Sequence, residues 1–132
     1  MKVFLDTNVV ASGLATRGLC SDVVREVLSK HDLVTSFRML KELRRILVDK
    51  FKVDRDYVED SIALFQVGAY VSNSKKILSI PINDEDDIEI LSDALHGESE
   101  VFVTGDKEVL SLKSFNEMKI LSPRDFWTLI TS

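Results

Sequence analysis

Two uninterrupted apolar triplets, each followed by an acidic residue, limit the possible folds of this chain most strongly. Val3-Phe4-Leu5 precedes Asp6, and Val101-Phe102-Val103 precedes Thr104-Gly105-Asp106. An unbroken apolar run is typical of a strand buried on both faces, as in a parallel sheet covered by helices. If the two strands are parallel neighbours, Asp6 and Asp106 lie at the same carboxyl edge, where open α/β sheets bind ligands. The alternative for Asp6 is that it only caps the following helix.

The size and composition of the chain indicate an ordinary globular protein. Its 132 residues are 45% hydrophobic and 30% charged, which argues against disorder and allows a core that needs no disulfide or structural metal. We predict a single domain over residues 1–132. We expect neither a membrane span nor a signal peptide, because the chain has no long apolar run and no charged-then-apolar leader. The single cysteine, Cys20, agrees with a cytoplasmic location.

Segments typical of strands and helices alternate along the chain. Apolar residues recur at helical spacing over residues 37–50 and after Asp54, whereas residues 32–36 are typical of a strand. This alternation predicts an α/β fold, a three-layer α/β/α sandwich with a central parallel sheet of about four to five strands. The pattern also predicts that Ser21 caps a helix, that Tyr57 faces inward and that residues 76–80 form a strand. Gly97 is expected to end the helix that begins near Asp84. The final helix, over residues 124–130, is expected to pack in the core or, alternatively, to form a partner surface.

The charges are distributed unevenly. The net charge is -5, which taken alone argues against a nucleic-acid partner. Residues 17–55, however, contain ten Lys or Arg and six Asp or Glu, whereas residues 84–108 contain ten Asp or Glu and one Lys. Such asymmetry indicates either a charged site or the polar faces of surface helices.

Two further acids are candidates for the same edge as Asp6. In the run from Asp84 to Asp87, Asp87 borders the apolar stripe of its helix, while the other acids suit capping and solubility. Glu42 lies on another helix, where a surface ion pair is the simpler explanation when Glu42 is taken alone. Carboxylates that share a crevice repel one another unless a cation lies between them. Clusters of oxygen ligands favour Mg²⁺ or Mn²⁺, ions that promote phosphodiester hydrolysis.

Taken together, the motifs resemble those of the PIN domain family, specifically its VapC-like branch of toxin ribonucleases from prokaryotic toxin–antitoxin systems. The resemblance covers nearly the whole chain and rests on Val3 to Asn8, Lys41-Glu42-Leu43, Asp87 with Ile90-Leu91 and Ala94, and Val103-Thr104-Gly105-Asp106. It implies that the catalytic and metal-binding acids are Asp6, Glu42, Asp87 and Asp106, with Asp84 or Asp86 as alternatives to Asp87. It also implies that Thr7, Asn8 and Thr104 support these acids by hydrogen bonding.

The resemblance further implies a Mg²⁺- or Mn²⁺-dependent endoribonuclease that acts on RNA, is inhibited by a small antitoxin protein and often forms a homodimer. A non-cleaving module that binds RNA or protein is the main alternative. A phosphoacceptor receiver domain fits less well, because only one acid follows the first strand. A haloacid-dehalogenase-like phosphatase would need an acid where Asn8 stands.

Four basic residues cluster around Glu42 on the same predicted helix. We expect Arg38, Lys41, Arg44 and Arg45 to contact RNA phosphates, and the alternative is a solvated helix face.

Overall fold

A six-stranded sheet forms the centre of the molecule in the computed structural model, which describes residues 1–132. Its strands are β1 (Lys2–Leu5), β2 (Asp32–Thr35), β3 (Ala69–Val71), β4 (Val101–Val103), β5 (Ser114–Phe115) and β6 (Met118–Leu121). Their order across the sheet is β3-β2-β1-β4-β6-β5, and every neighbouring pair is parallel except β5 and β6. The predicted three-layer α/β fold is confirmed, although the sheet has more strands than expected and one antiparallel pair.

Seven helices connect and cover the strands. They are α1 (Thr7–Ala15), α2 (Leu19–Lys30), α3 (Phe37–Asp49), α4 (Arg55–Val67), α5 (Glu85–His96), α6 (Lys107–Leu110) and α7 (Pro123–Thr131). Short polar side chains start several of them by accepting hydrogen bonds from free backbone N–H groups. Ser36 accepts from the N–H of Met39 at 3.2 Å, and Ser122 accepts from that of Asp125 at 3.1 Å. No helix is long and apolar enough to cross a membrane.

The two apolar triplets are adjacent parallel strands. In the register of β1 and β4, Val3 is opposite Val101 and Leu5 is opposite Val103. Val3, Phe4 and Leu5 are fully buried, so both faces of β1 are covered, as the unbroken apolar run predicts. The residues that follow the two strands therefore emerge at the same edge of the sheet.

The third strand is not where the sequence pattern predicts it. Residues 76–80 are not a strand, and β3 is instead Ala69–Val71, an edge strand that pairs only with β2. The backbone near residue 78 is held by α5, because the N–H of Leu78 donates to the Ser92 hydroxyl at 3.0 Å. Leu78 and Ile80 thus pack against the core without pairing, whereas Ile77 is 44% exposed. The short strand β3 has no run of buried apolar residues that would identify it in the sequence, since Tyr70 is 59% exposed.

The antiparallel edge comes from a hairpin that the sequence pattern does not predict. Two residues, Asn116 and Glu117, connect β5 to β6, and both have positive φ, 47° and 71°. This conformation suits a two-residue hairpin because its twist matches that of the strands. Glutamate rarely adopts it, so the turn carries no obvious sequence signal.

Three details of the helices differ from the expectations. The helix α2 begins at Leu19 after Gly18, so Ser21 lies inside the helix and does not cap it. Tyr57 is 58% exposed rather than facing inward. On α7, Phe126 is fully buried, but Leu129 is 43% exposed, so only part of this helix belongs to the core.

Gly97 ends α5, but for a different reason from the usual one. Its φ is -81°, which any residue can adopt, and the positive φ of 60° belongs to Glu98. A Cβ at Gly97 would lie 2.7 Å from Cγ1 of Val34 and 2.9 Å from Cβ of Ser72. Glycine is therefore needed so that the end of α5 can pack closely against β2 and the segment after β3.

Candidate functional site

Asp6 both caps α1 and belongs to the carboxyl edge of the sheet. Its Oδ1 accepts a hydrogen bond from the Thr7 N–H at 2.8 Å, and its Oδ2 accepts one from the Thr104 hydroxyl at 2.7 Å. The side chain is buried, with the residue 7% exposed. Thr7 therefore contacts Asp6 through its backbone, and its own buried hydroxyl has no partner. Asn8 is exposed and makes no hydrogen bond to Asp6.

Thr104 connects the two acids that follow β1 and β4. Its hydroxyl donates to Asp6 and accepts from the N–H of Asp106 at 3.0 Å. Asp106 in turn caps α6, because its Oδ1 accepts from the N–H groups of Glu108 and Val109 at 2.9 and 3.1 Å. The side chain of Asp106 is thus oriented by local backbone donors, and that of Asp6 by a residue distant in sequence.

The start of α5 assigns different roles to the acids of the run that begins at Asp84. Asp84 caps the helix, since its Oδ1 accepts from the N–H of Asp87 at 3.0 Å. The Asp87 carboxylate is half-buried and accepts no hydrogen bond of its own. A half-buried carboxylate that accepts no hydrogen bond loses solvation without compensation from a donor, so its ionised form is disfavoured.

Asp87 has a strongly perturbed acidity. Its pKa is raised from 3.8 to about 7, by burial first and then by the negative charges of Asp6, Asp84, Asp106 and Glu42. All five contributions act in the same direction, and no hydrogen bond or cation offsets them. We call these five residues the carboxylate cluster.

The other two shifted members of the carboxylate cluster respond to the same neighbours. Burial raises the pKa of Asp6 most, hydrogen bonds from Thr104 and Thr7 lower it, and the charges of Asp106 and Asp84 raise it. The pKa of Glu42 is also raised, by burial first and then by Asp6, with partial relief from Arg45. Mutual repulsion therefore couples side chains that come from β1, α3, α5 and the end of β4.

The donor set fits a hard divalent cation in its chemistry. The cluster offers only carboxylate oxygens, the ligands that Mg²⁺ and Mn²⁺ prefer, and its members repel one another. No three acidic, histidine or cysteine side chains converge tightly enough to hold a metal ion as they stand. Asp6 and Asp106 are held by the hydrogen bonds described above, whereas the side chains of Asp87 and Glu42 accept none.

A small cleft of about 340 Å³ borders the cluster between α3 and α5. Glu42 and Asp86 line it, together with Lys41 and Arg45, which are exposed. Asp86 also raises the pKa of Glu42, although less than burial and the charge of Asp6 do, while Arg45 lowers it. The sequence pattern assigned Asp84 and Asp86 mainly to capping and solubility, yet both act electrostatically on the cluster. The feature of the sequence that could have indicated this effect is the length of the acidic run, since one helix cap requires only one acid.

Two of the four predicted basic residues have protein partners. Nε of Arg44 lies 2.6 Å from Oε2 of Glu59 on α4, and Arg44 does not line the cleft. Nη1 of Arg38 lies 3.0 Å from Oδ1 of Asp93 on α5. Lys41 and Arg45 are therefore the basic side chains of the cleft that are available to a ligand.

A larger cavity, about 840 Å³, lies elsewhere. It is lined by residues from the amino-terminal ends of strands, including Met1 and Val101, and by His96. Its charges are mixed, and Glu100 is engaged by the N–H of Lys2 at 2.6 Å. The like-charge repulsion that marks a cation site is found at the carboxylate cluster, which is why we place the candidate site there.

The fold and the cluster define a class, an α/β protein with a group of acidic side chains at the carboxyl edge of a mostly parallel sheet. The chain belongs to the PIN domain family, because the family model described as PIN domain matches residues 2–108. The predicted resemblance to this family is confirmed. Comparison with curated proteins finds no match.

Two solved structures are similar over almost their full length. One is VapBC2 from Rickettsia felis bound to a DNA fragment from their promoter, with a TM-score of 0.65, 14% identity, and coverage of 92% of this chain and 98% of that chain. The other is VapBC-1 from nontypeable Haemophilus influenzae, with a TM-score of 0.65, 19% identity, and coverage of 94% and 99%. At this identity the likeness concerns the fold.

Proposed function

We propose that the protein is a metal-dependent endoribonuclease that hydrolyses RNA phosphodiester bonds. The observation that carries the proposal is the carboxylate cluster itself, in which burial and then the repulsion between the acids raise the pKa of Asp87 to about 7. Membership of the PIN domain family supports it, since nuclease activity is typical of this family.

In this proposal Asp6, Glu42, Asp87 and Asp106 hold Mg²⁺ or Mn²⁺, and Asp84 or Asp86 is the alternative to Asp87 from the same helix start. The bound ion supplies polarisation of the phosphodiester and activation of water. Thr104 keeps Asp6 in position through its 2.7 Å hydrogen bond. Lys41 and Arg45 contact RNA phosphates and offset the charge of the acids for a polyanionic substrate.

We also propose that the protein acts in the cytoplasm as the toxin of a toxin–antitoxin pair. Its fold is similar to chains in the two VapBC structures, which supports a small antitoxin protein as partner. A homodimer is part of the same proposal.

Incubation of purified protein with a broad panel of RNAs tests the ribonuclease proposal. We expect cleavage in Mn²⁺ or Mg²⁺, and none after addition of EDTA, because the acids cannot stabilise the transition state without the cation. Cleavage that persists in EDTA would contradict the metal-dependent mechanism.

A non-cleaving RNA-binding or protein-binding module is the second candidate. It is favoured by the absence of three acids that converge tightly enough to hold an ion as they stand. RNA binding without cleavage in any divalent cation would support this candidate over the nuclease.

RNA binding should depend on the two free basic residues of the cleft. We expect Lys41→Gln with Arg45→Gln to weaken RNA binding and to reduce the slope of log affinity against log salt by about 1.4, as two lost single-strand phosphate contacts require. Binding is measured in EDTA so that the RNA stays intact. Arg44→Gln with Lys50→Gln is the matched control, because it removes the same charge from α3 and from the residue that follows it, both outside the cleft. An equal loss in both double variants would contradict specific contacts in the cleft.

A further inference from the structure

A fully buried acid on α5 is paired with an arginine of α3. Asp93 is 0% exposed, and its Oδ1 accepts hydrogen bonds from Nη1 of Arg38 at 3.0 Å and from the Ser74 N–H at 2.8 Å. Its Oδ2 is also buried and has no partner. A buried carboxylate is costly unless it is paired, so the guanidinium is the group that makes this acid tolerable inside the protein.

The guanidinium makes further contacts beyond Asp93. Nη2 of Arg38 donates to the carbonyl oxygen of Ser74 at 3.2 Å, and Nε lies 3.8 Å from Oε2 of Glu89. The planar fork of arginine suits such a set of acceptors, which the single ammonium of lysine could not reproduce. Arg38 therefore joins three parts of the fold, namely α3, α5 and the segment that follows β3.

This junction lies beside the carboxylate cluster. Glu42 follows Arg38 by one turn on α3, and both side chains line the small cleft. Asp87 belongs to the first turn of α5, the helix that carries Asp93 further along. The contact between Arg38 and Asp93 thus connects the helix that supplies Glu42 to the helix that supplies Asp87.

We propose that Arg38 is a positioning residue, which holds α3 against α5 through Asp93 and thereby sets the separation of Glu42 and Asp87. The inference rests on the proposed metal site. It replaces the expectation that Arg38 contacts RNA phosphates, because the guanidinium already donates to Asp93 and to Ser74 within the protein.

The sign of one measurement separates this role from a purely electrostatic one. Arg38 is a cation beside a cation-binding cluster, so loss of its charge alone should tighten Mn²⁺ binding. Loss of its positioning should weaken Mn²⁺ binding, since removal of residues that orient metal ligands commonly costs about 10- to 100-fold in affinity.

The test is titration with Mn²⁺, with free ion followed by electron paramagnetic resonance, on the wild-type protein and on Arg38→Gln. We expect Arg38→Gln to bind Mn²⁺ at least about 10-fold more weakly. Arg44→Gln is the matched control, because it removes the same charge from the same helix outside the cleft, and we expect its Mn²⁺ affinity to be unchanged or slightly higher. Mn²⁺ binding by Arg38→Gln that equals or exceeds that of Arg44→Gln would overturn the proposal.

Two additional variants and a measurement of RNA binding keep the proposal testable if Arg38→Gln does not fold or if Arg38 contacts RNA. Arg38→Lys keeps the charge but loses the fork, so we expect weaker Mn²⁺ binding than in wild type, and full affinity in a folded Arg38→Lys protein would overturn the proposal. Asp93→Asn should weaken Mn²⁺ binding as Arg38→Gln does. If Arg38→Gln lost RNA affinity in EDTA but kept the Mn²⁺ affinity of the wild type, Arg38 would instead be a phosphate contact. No Mn²⁺ binding by the wild-type protein would refute the metal site itself.

Discussion

Asp6→Asn is expected to lower metal-dependent RNA cleavage by at least on the order of 10³-fold while the protein stays folded. Asparagine has the shape of aspartate but no charge, so it keeps one of the two acceptor oxygens that bond Thr7 and Thr104. It cannot supply the anionic ligand that a divalent cation requires at this position. Relief of a buried charge offsets the one hydrogen bond that is lost, because burial is the main cause that raises the pKa of Asp6.

The measurement is the initial rate of cleavage in saturating Mn²⁺, with the melting temperature recorded for the same samples. Asp49→Asn is the matched control, since Asp49 is an exposed acid at the end of α3, and we expect wild-type rates from it. An Asp6→Asn protein that cleaves RNA at the wild-type rate would contradict the assignment of the site. An unfolded Asp6→Asn protein would show that the side chain is required for the fold as well.

The second prediction concerns stability against pH in the absence of metal. The pKa of Asp87 is raised from 3.8 to about 7, so the folded state holds a proton that the unfolded state releases. The stability that comes from this proton is fully present below pH 3.8 and is lost as the pH rises through about 7. The shift would correspond to about 4 kcal/mol for a fully buried group, and solvent screening of this half-buried side chain reduces the expected loss to about 1–2 kcal/mol.

Asp87→Asn isolates this effect from the other titrating groups. We expect the free energy of unfolding of Asp87→Asn, minus that of the wild type, to rise by about 1–2 kcal/mol between pH 4 and pH 8 in EDTA. Mn²⁺ should raise the wild-type melting temperature more at pH 8 than at pH 5.5, because the ion binds the deprotonated acids. Urea unfolding at a series of pH values gives the first quantity, and thermal melting gives the second.

A difference between Asp87→Asn and wild type that stays constant over this pH range would contradict the perturbed acidity of Asp87. A similar rise in Asp49→Asn would show that the effect is not specific to the carboxylate cluster. A melting temperature that does not respond to millimolar Mn²⁺ at pH 8 would contradict the metal site.

Local sequence patterns predict a strand or a helix cap correctly where its burial or its hydrogen bonds involve residues close in the chain. The apolar runs of β1 and β4 have the composition of strands covered on both sides, and these strands are found as predicted. Ser36 and Asp54 cap helices through donors two or three residues away, which a sequence pattern can reveal. The segment 76–80 was misassigned because apolar residues that pack against a helix look the same in sequence as those of a buried strand.

The sequence identifies the acids of the candidate site, but it does not show which hydrogen bonds each of them makes. The sequence suggested that Asp6 could not easily be both a helix cap and a site residue. In the fold one oxygen accepts from the neighbouring backbone while the other accepts from Thr104, so both roles are compatible. Arg38 and Arg44 looked like Lys41 and Arg45, and only their partners Asp93 and Glu59 distinguish them.

By itself the sequence determined the alternation of strands and helices and the acids that end β1 and β4. Only the tertiary structure decided that β1 lies between β2 and β4, which brings α3 and its Glu42 to the same edge as Asp106. The physical reason is the separation of the partners along the chain. Asp6 and Thr104 are 98 residues apart, and Arg38 and Asp93 are 55 apart. Contacts of this range depend on how the whole core packs, and no local pattern of residues encodes them.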